Sequence, residues 1–136
     1  MRFETKIAVV VLGDLPTWQK LNVVAFTASG VAVSVPGITG EPYTDGSGNA
    51  YLPMFRQPVL VFEADPAQIR AAHNRALERD IKAAIFTRDL FETGHDEANR
   101  AAVRGKAQKE LELVGFALHA DRATVDRIVK GLKLHG

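Results

Sequence analysis

The stretch "KIAVVVLGD", Lys6 to Asp14, is an unbroken apolar, β-branched run closed by a glycine and an aspartate. A strand with one wet face alternates apolar and polar residues. A continuous run of this kind instead suits a strand buried on both faces. Such a strand needs a layer above it and another below it, so this segment predicts the central strand of a covered sheet. The apolar core of the run is far shorter than the ~20 residues that span a bilayer.

The rest of the chain supplies the layers. After "LPTW", Trp18, Leu21, Ala25 and Ala28 recur at three- and four-residue spacing, which predicts a helix with Thr17 as N-cap and Gly30 as stop. "QPVLVFEAD" reads as a second buried strand. Asp65-Pro66-Ala67-Gln68 then supplies an N-cap, a first-turn proline and a glutamine at the third helical position. Ile69, Ala72, His73, Ala76 and Leu77 form that helix's apolar stripe, and "IKAAIFT" follows as a third strand. A Thr93/Asp96 capping pair starts a helix that runs through Val103 and closes near Gly105. "ELELVGFALHA" is a fourth strand, and Asp121 caps a last helix with Val125, Ile128, Val129 and Leu132 on one face.

Strands alternating with helices predict an α/β fold, a single domain over residues 1–136. The expected sheet is four-stranded, mixed and mostly parallel, with helices on both faces. Between the first helix and the second strand lies a peripheral β-hairpin insertion, about 38–55, turning at Asp45 to Asn49. Pro36, Pro42 and Pro53 put its strands at an edge, because proline cannot donate to a ladder.

A chain of 136 residues, 46% of them hydrophobic, is long enough for one real core and too short for two comfortable ones. Seventeen basic and sixteen acidic side chains leave a net charge of +1, so no global field draws the protein to nucleic acid or membrane. Cysteine is absent, which excludes disulfides, thiolate catalysis and cysteine-ligated zinc or iron–sulfur centres. The expectation is a cytoplasmic protein without a membrane partner.

In an open α/β sheet, ligands favour the carboxyl ends of strands, where loops turn into helix N-termini. That rule selects Asp14, Thr17 and Lys20 after the first strand, and Arg88 and Asp89 after the third. It adds Arg56 and Gln57 if their end of the sheet is shared. Free amides at the start of the first helix, with Lys20 as a point charge, could hold a small anion, although no glycine-rich phosphate loop is present.

The segment "TRDLFETGHDEANR" adds His95, Asp96, Asn99 and Arg100 as ligand-binding candidates that could equally cap a helix. A histidine beside a carboxylate suggests acid–base chemistry. Adjacent helical residues diverge by about 100°, however, and His73, His119 and His135 lie in other elements, so no metal site is expected. His73 reads as a core or boundary residue. Ser29, Ser34 and Ser47 lack a nucleophile-elbow context. Asp89, directly after an apolar strand and beside Arg88, could orient a ligand or a water. The ordinary alternative for it is a cap or a salt bridge.

Taken together, "KIAVVVLGDLPTWQKLNVVAF", "QPVLVFEADPAQIRAAHNRAL", "IKAAIFTRD" and "LVGFALHADRATVDRIVKGLKL" resemble the framework of the peptidyl-tRNA hydrolases of the second type, found in archaea and eukaryotes. In that family an Asp-Leu pair closes the first strand before a lysine-bearing helix, a Gly-Gln pair precedes the second strand, and an aspartate follows the third. The chain then ends in an Asp-Lys-x-x-x-x-Leu-Lys-Leu pattern. The matching positions are Asp14-Leu15 with Lys20, Gln57, Asp89, and Asp126 followed by Leu132-Lys133-Leu134.

The resemblance implies a peptidyl-tRNA-hydrolase-like fold and hydrolysis of an ester or amide. Asp89 would orient the water and Lys20 would meet the developing negative charge, with no metal or cofactor. It also implies tRNA as a partner and a homodimer. The whole sequence, including "RQPVLVF", "LFETGHDEANR" and "VDRIVKGLKLHG", is similar as well to the bacterial domain-of-unknown-function 2000 family.

Two departures rebuild the surroundings of the implied site. Thr17-Trp18-Gln19-Lys20 replaces a glycine- and lysine-rich helix start, and Asp89 is followed by Leu90-Phe91 and "ETGHDEANR". A tRNA substrate also calls for a clustered basic surface, which Lys20, Arg56, Arg88, Arg100 and Arg104 would have to make. The alternative is a non-enzymatic domain that binds a small anionic ligand, a nucleotide or RNA, or a protein partner.

Overall fold

The run that opens the chain becomes β1 (Thr5–Leu12) in a computed structural model that describes residues 2–136. Ile7, Ala8, Val9 and Val10 are fully buried there, as a strand covered on both faces requires. α1 (Thr17–Ser34) follows, then the hairpin strands β2 (Tyr43–Thr44) and β3 (Ala50–Tyr51), β4 (Val59–Ala64) and α2 (Pro66–Glu78). β5 (Ala84–Thr87) leads through a 3-10 turn (Arg88–Phe91) to α3 (Asp96–Arg104). The chain closes with β6 (Leu113–Asp121), α4 (Arg122–Ile128) and β7 (Lys133–Leu134).

The fold is a single α/β domain, but the sheet differs from expectation in two respects. It has five strands rather than four, in the order β5-β6-β1-β4-β7. Among the described residues its only parallel pair is β1 with β4. β6 runs antiparallel to both β1 and β5, and β7 runs antiparallel to β4. The inserted β6 explains the difference: β1, β4 and β5 share a direction, as alternation with helices predicts, yet β6 separates β5 from β1.

α1 lies on one face, where Val23 packs with Val11 and Val114 and Val31 packs with Ile7, Val9 and Ala117. α2 and α4 cover the other face, with Ile69, Ala72, Val125 and Ile128 against Ala8, Val10, Phe116 and Leu118. Burial of this apolar surface is the main stabilising term.

Three local expectations change. Pro16, not Thr17, is the N-cap of α1, and Thr17 is its first helical residue. Gly30 does not stop the helix, which runs on to Ser34. Gly30 instead lets α1 approach β5, where an added Cβ would lie 2.7 Å from that of Ala84. The buried face of α1 is Val23, Thr27 and Val31, whereas Trp18 and Leu21 are 59% and 67% exposed. This helix is apolar nearly all round, so spacing alone could not select its inner face.

Other local signals match the structure. Asp65 and Gln68 form the reciprocal capping box of α2, with Gln68 N–H donating to the Asp65 carboxylate at 2.8 Å and Asp65 N–H to the Gln68 amide oxygen at 3.0 Å. Asp121 accepts from Thr124 N–H at 3.1 Å and caps α4. In the hairpin, Asp45 accepts from Ser47 N–H, Asn49 N–H and the Tyr51 hydroxyl. The Tyr51 hydrogen bond, followed by those from Asn49, holds the Asp45 carboxyl far below the usual carboxylate range. Among the described residues no helix is long and apolar enough to cross a membrane.

Candidate functional site at the carboxyl end of the parallel pair

The two parallel neighbours β1 and β4 end side by side, and the Gly13 N–H donates to the Ala64 carbonyl at 2.9 Å. From these ends the chain leaves in opposite directions. β1 feeds α1 on one face of the sheet and β4 feeds α2 on the other. Diverging connections after adjacent parallel strands open a crevice at a topological switch point. Here it has a volume of 380 Å³ and is lined by Gly13, Asp14, Glu63, Asp65, Gly131 and Lys133 among others.

Three side chains meet beside this crevice. The Lys20 ammonium lies 3.0 Å from His135 Nε2, and Glu63 Oε2 is 4.0 Å from the same nitrogen. Strand alternation places Glu63: Val59 and Val61 pack into the layer beneath α1, so Glu63, two residues on, faces the same side. His135 is positioned by β7, whose pairing with β4 sets Lys133 opposite Glu63 and continues as a His135 N–H to Val61 carbonyl bond of 2.9 Å. His135 Nδ1 is 2.8 Å from the Gly136 carbonyl. With Nδ1–H donating there, Nε2 accepts from Lys20. The half-exposed Glu63 carboxylate has no hydrogen-bond donor among the described residues.

The sequence-derived candidates distribute over several places. Asp14 lines the crevice, and Lys20 is held by His135 beside Glu63. Thr17 is exposed on the first turn of α1. Arg56 and Gln57 lie at the opposite end of the sheet, so the condition of a shared end is not met. Gln57 donates to the Thr5 carbonyl at 3.0 Å, and Arg56 to the Gly37 carbonyl at 3.4 Å.

Arg88 pairs with Glu112 at 2.5 Å, and Asp89 with Lys106 at 2.7 Å. β5 stands three strands from β4, about 14 Å at the usual strand spacing, so Asp89 and Glu63 occupy different parts of the same sheet end. His95, rather than Thr93, caps α3, its Nδ1 accepting from Ala98 N–H at 3.2 Å. Asp96 pairs with Arg100 at 2.5 Å, and the Thr93 hydroxyl donates to Asn99. No group of three or more metal-ligating side chains converges among the described residues.

The sequence alone does not single out Glu63 and His135. Glu63 did carry a signal, a lone carboxylate in the apolar "VLVFEA" with the parity of Val59 and Val61. His135 carried none, because its position depends on a two-residue strand. A fixed ammonium can stabilise a developing oxyanion, and an unpartnered carboxylate can take a proton from water.

Residues 5–136 match the family model described as a protein of unknown function, DUF2000. Among solved structures, the protein of unknown function Atu0240 from Agrobacterium tumefaciens strain C58 is 47% identical and superposes with a TM-score of 0.96, over 99% of this chain and 100% of that one. No curated protein matches the sequence.

Proposed function

Because the chain belongs to the DUF2000 family, of unknown function, we propose a reading built from its own geometry: a hydrolase of an ester or amide acting in the crevice between β1 and β4. The observation that carries it is the Lys20–His135–Glu63 cluster, of which Glu63 lines that crevice. Lys20 meets the negative charge that develops on the attacked carbonyl oxygen. Glu63 orients the water and accepts its proton. His135 acts as a positioning residue, its Nε2 holding the Lys20 ammonium at 3.0 Å. Of the positions through which the sequence resembles peptidyl-tRNA hydrolases, Asp14 and Lys133 line this crevice. A peptidyl-tRNA-like ester is therefore the first substrate to try.

Asp89 is the carboxylate that the resemblance implies for orienting water, and it would do so only with a substrate that reaches across to the end of β5. The test is hydrolysis of a diacetyl-lysyl-tRNA-type substrate by wild type, Lys20→Ala, Glu63→Gln and Asp89→Asn. Removing the charge at Lys20 should lower kcat on the order of 10²-fold. Equal or absent turnover in all four proteins removes the hydrolase reading.

One observation favours a second reading, a non-enzymatic domain that holds a small anion. α1 begins without a side-chain cap and without an acidic residue in its first turn, next to Lys20, and such a helix start favours anions. Thermal shift with nucleotides, phosphorylated metabolites and tRNA checks it: ligand at about 100 times Kd adds about 2.7 kcal/mol. Stabilisation without turnover would select this reading over the first.

A further inference from the structure

A second cavity, 340 Å³ in volume, lies on the far side of α1, between that helix and the segment from β5 to α3. Its walls are aromatic. Trp18 and Phe26, 59% and 56% exposed, flank it from α1, and Phe86 is buried against it. Trp18 meets Phe91 edge-on, with ring centroids 6.1 Å apart and planes at 67°, and Phe26 meets Phe86 in the same manner at 5.8 Å and 70°. Edge contacts of this kind leave ring faces available for a planar guest.

The rim of the groove is polar and only half used. His95 spends Nδ1 on the Ala98 N–H, so its neutral ring carries the remaining proton on Nε2, which has no protein partner among the described residues. Asn99 accepts from Thr93 through its amide oxygen, leaving its NH₂ group to donate. Asn22 donates to the Trp18 carbonyl at 3.0 Å, leaving its amide oxygen to accept. Asp96 is neutralised by Arg100 at 2.5 Å. The groove thus offers aromatic faces, two donors, one acceptor and no uncompensated charge. A hydrocarbon ring would leave the donors and the acceptor unmatched, and a charged guest would find no counter-ion.

We propose that this groove binds the base of a nucleoside, stacked against Trp18 and Phe26 and read at its edge by His95, Asn99 and Asn22. Bases held between aromatic side chains with hydrogen bonds to their edges are the usual form of such recognition. The base can come from a free nucleoside or from single-stranded RNA, which present the same chemistry.

Trp18 is the chain's only tryptophan, so its fluorescence reports the groove directly. Wild-type protein is titrated with adenosine, guanosine, cytidine, uridine, a short single-stranded RNA, and benzyl alcohol as a control. The expected result is saturable quenching by at least one nucleoside, or by the RNA alone if the base is recognised only within a strand. Asn99→Ala and Phe26→Ala should each weaken it about tenfold, and Arg56→Ala, at the opposite end of the sheet, should leave it unchanged. Absence of saturable quenching by every nucleoside and by the RNA overturns the proposal. Equal binding of benzyl alcohol does so too, as does quenching that depends only on protein concentration, which would mean that a second copy fills the groove.

Discussion

His73 sits in the apolar stripe of α2, 6% exposed, its ring against Phe116 and its Nδ1 without a partner. Burial, and secondarily the charge of Arg70, hold its pKa below the ordinary 6.5. The folded state therefore binds protons less readily than the unfolded one. Its stability contribution is intact above pH 6.5 and falls as the pH drops below that value toward the lowered folded pKa. Thermal melts between pH 7.5 and 5 should show a decline that is shallower in His73→Leu. It should not vanish, because half-buried His119 is shifted the same way by burial.

Gly115 illustrates the opposite case in legibility. The sequence marks its strand but not why a glycine stands there. In the structure an added Cβ would lie 2.2 Å from Val23 Cγ1 and 3.1 Å from the Val10 carbonyl oxygen. Gly115→Ala should cost on the order of 3 kcal/mol by overpacking, and Val23→Ala in the same chain should restore part of that loss in denaturant unfolding.

Elements with local signals were legible in advance. β1, β4 and β5 announced themselves as apolar runs, and α2 through its capping box. Asp65→Ala removes the carboxylate half of that box, leaving the backbone N–H of residue 65 on Gln68, and should lower stability by about 1 kcal/mol in denaturant unfolding, without altering the unfolding slope. Elements with no local signal were missed. β7 has two residues, too few for any period to show, and exists because β4 offers it an edge. The inner face of α1 is not legible in the sequence because Trp18, Leu21 and Phe26 give its outer side the same apolar character as the side under which Val23, Thr27 and Val31 pack. The exposed aromatics then belong to a groove, which no spacing rule distinguishes from a core.

Across the whole molecule, the direction of β1, β4 and β5 could be read from alternation, but their order could not, since β6 is placed by pairing between segments distant in sequence. The candidate site divides along the same line. The carboxyl ends of the strands, Asp14 and Lys20 were reachable from the sequence. Glu63 and His135 were not joined to them, because only the β4–β7 register brings the chain's last residues beside Lys20. Asp89 belongs to the same sheet end but is held by Lys106 at the end of β5.

The most direct test of this account sets the two carboxylates against each other. The kcat/KM of Glu63→Gln and of Asp89→Asn is measured on one diacetyl-lysyl-tRNA-type substrate. The crevice between β1 and β4 predicts a loss on the order of 10²-fold or more for Glu63→Gln, with Asp89→Asn close to wild type. A Glu63→Gln protein with wild-type turnover beside an inactive Asp89→Asn protein would contradict it and move the chemistry to the end of β5.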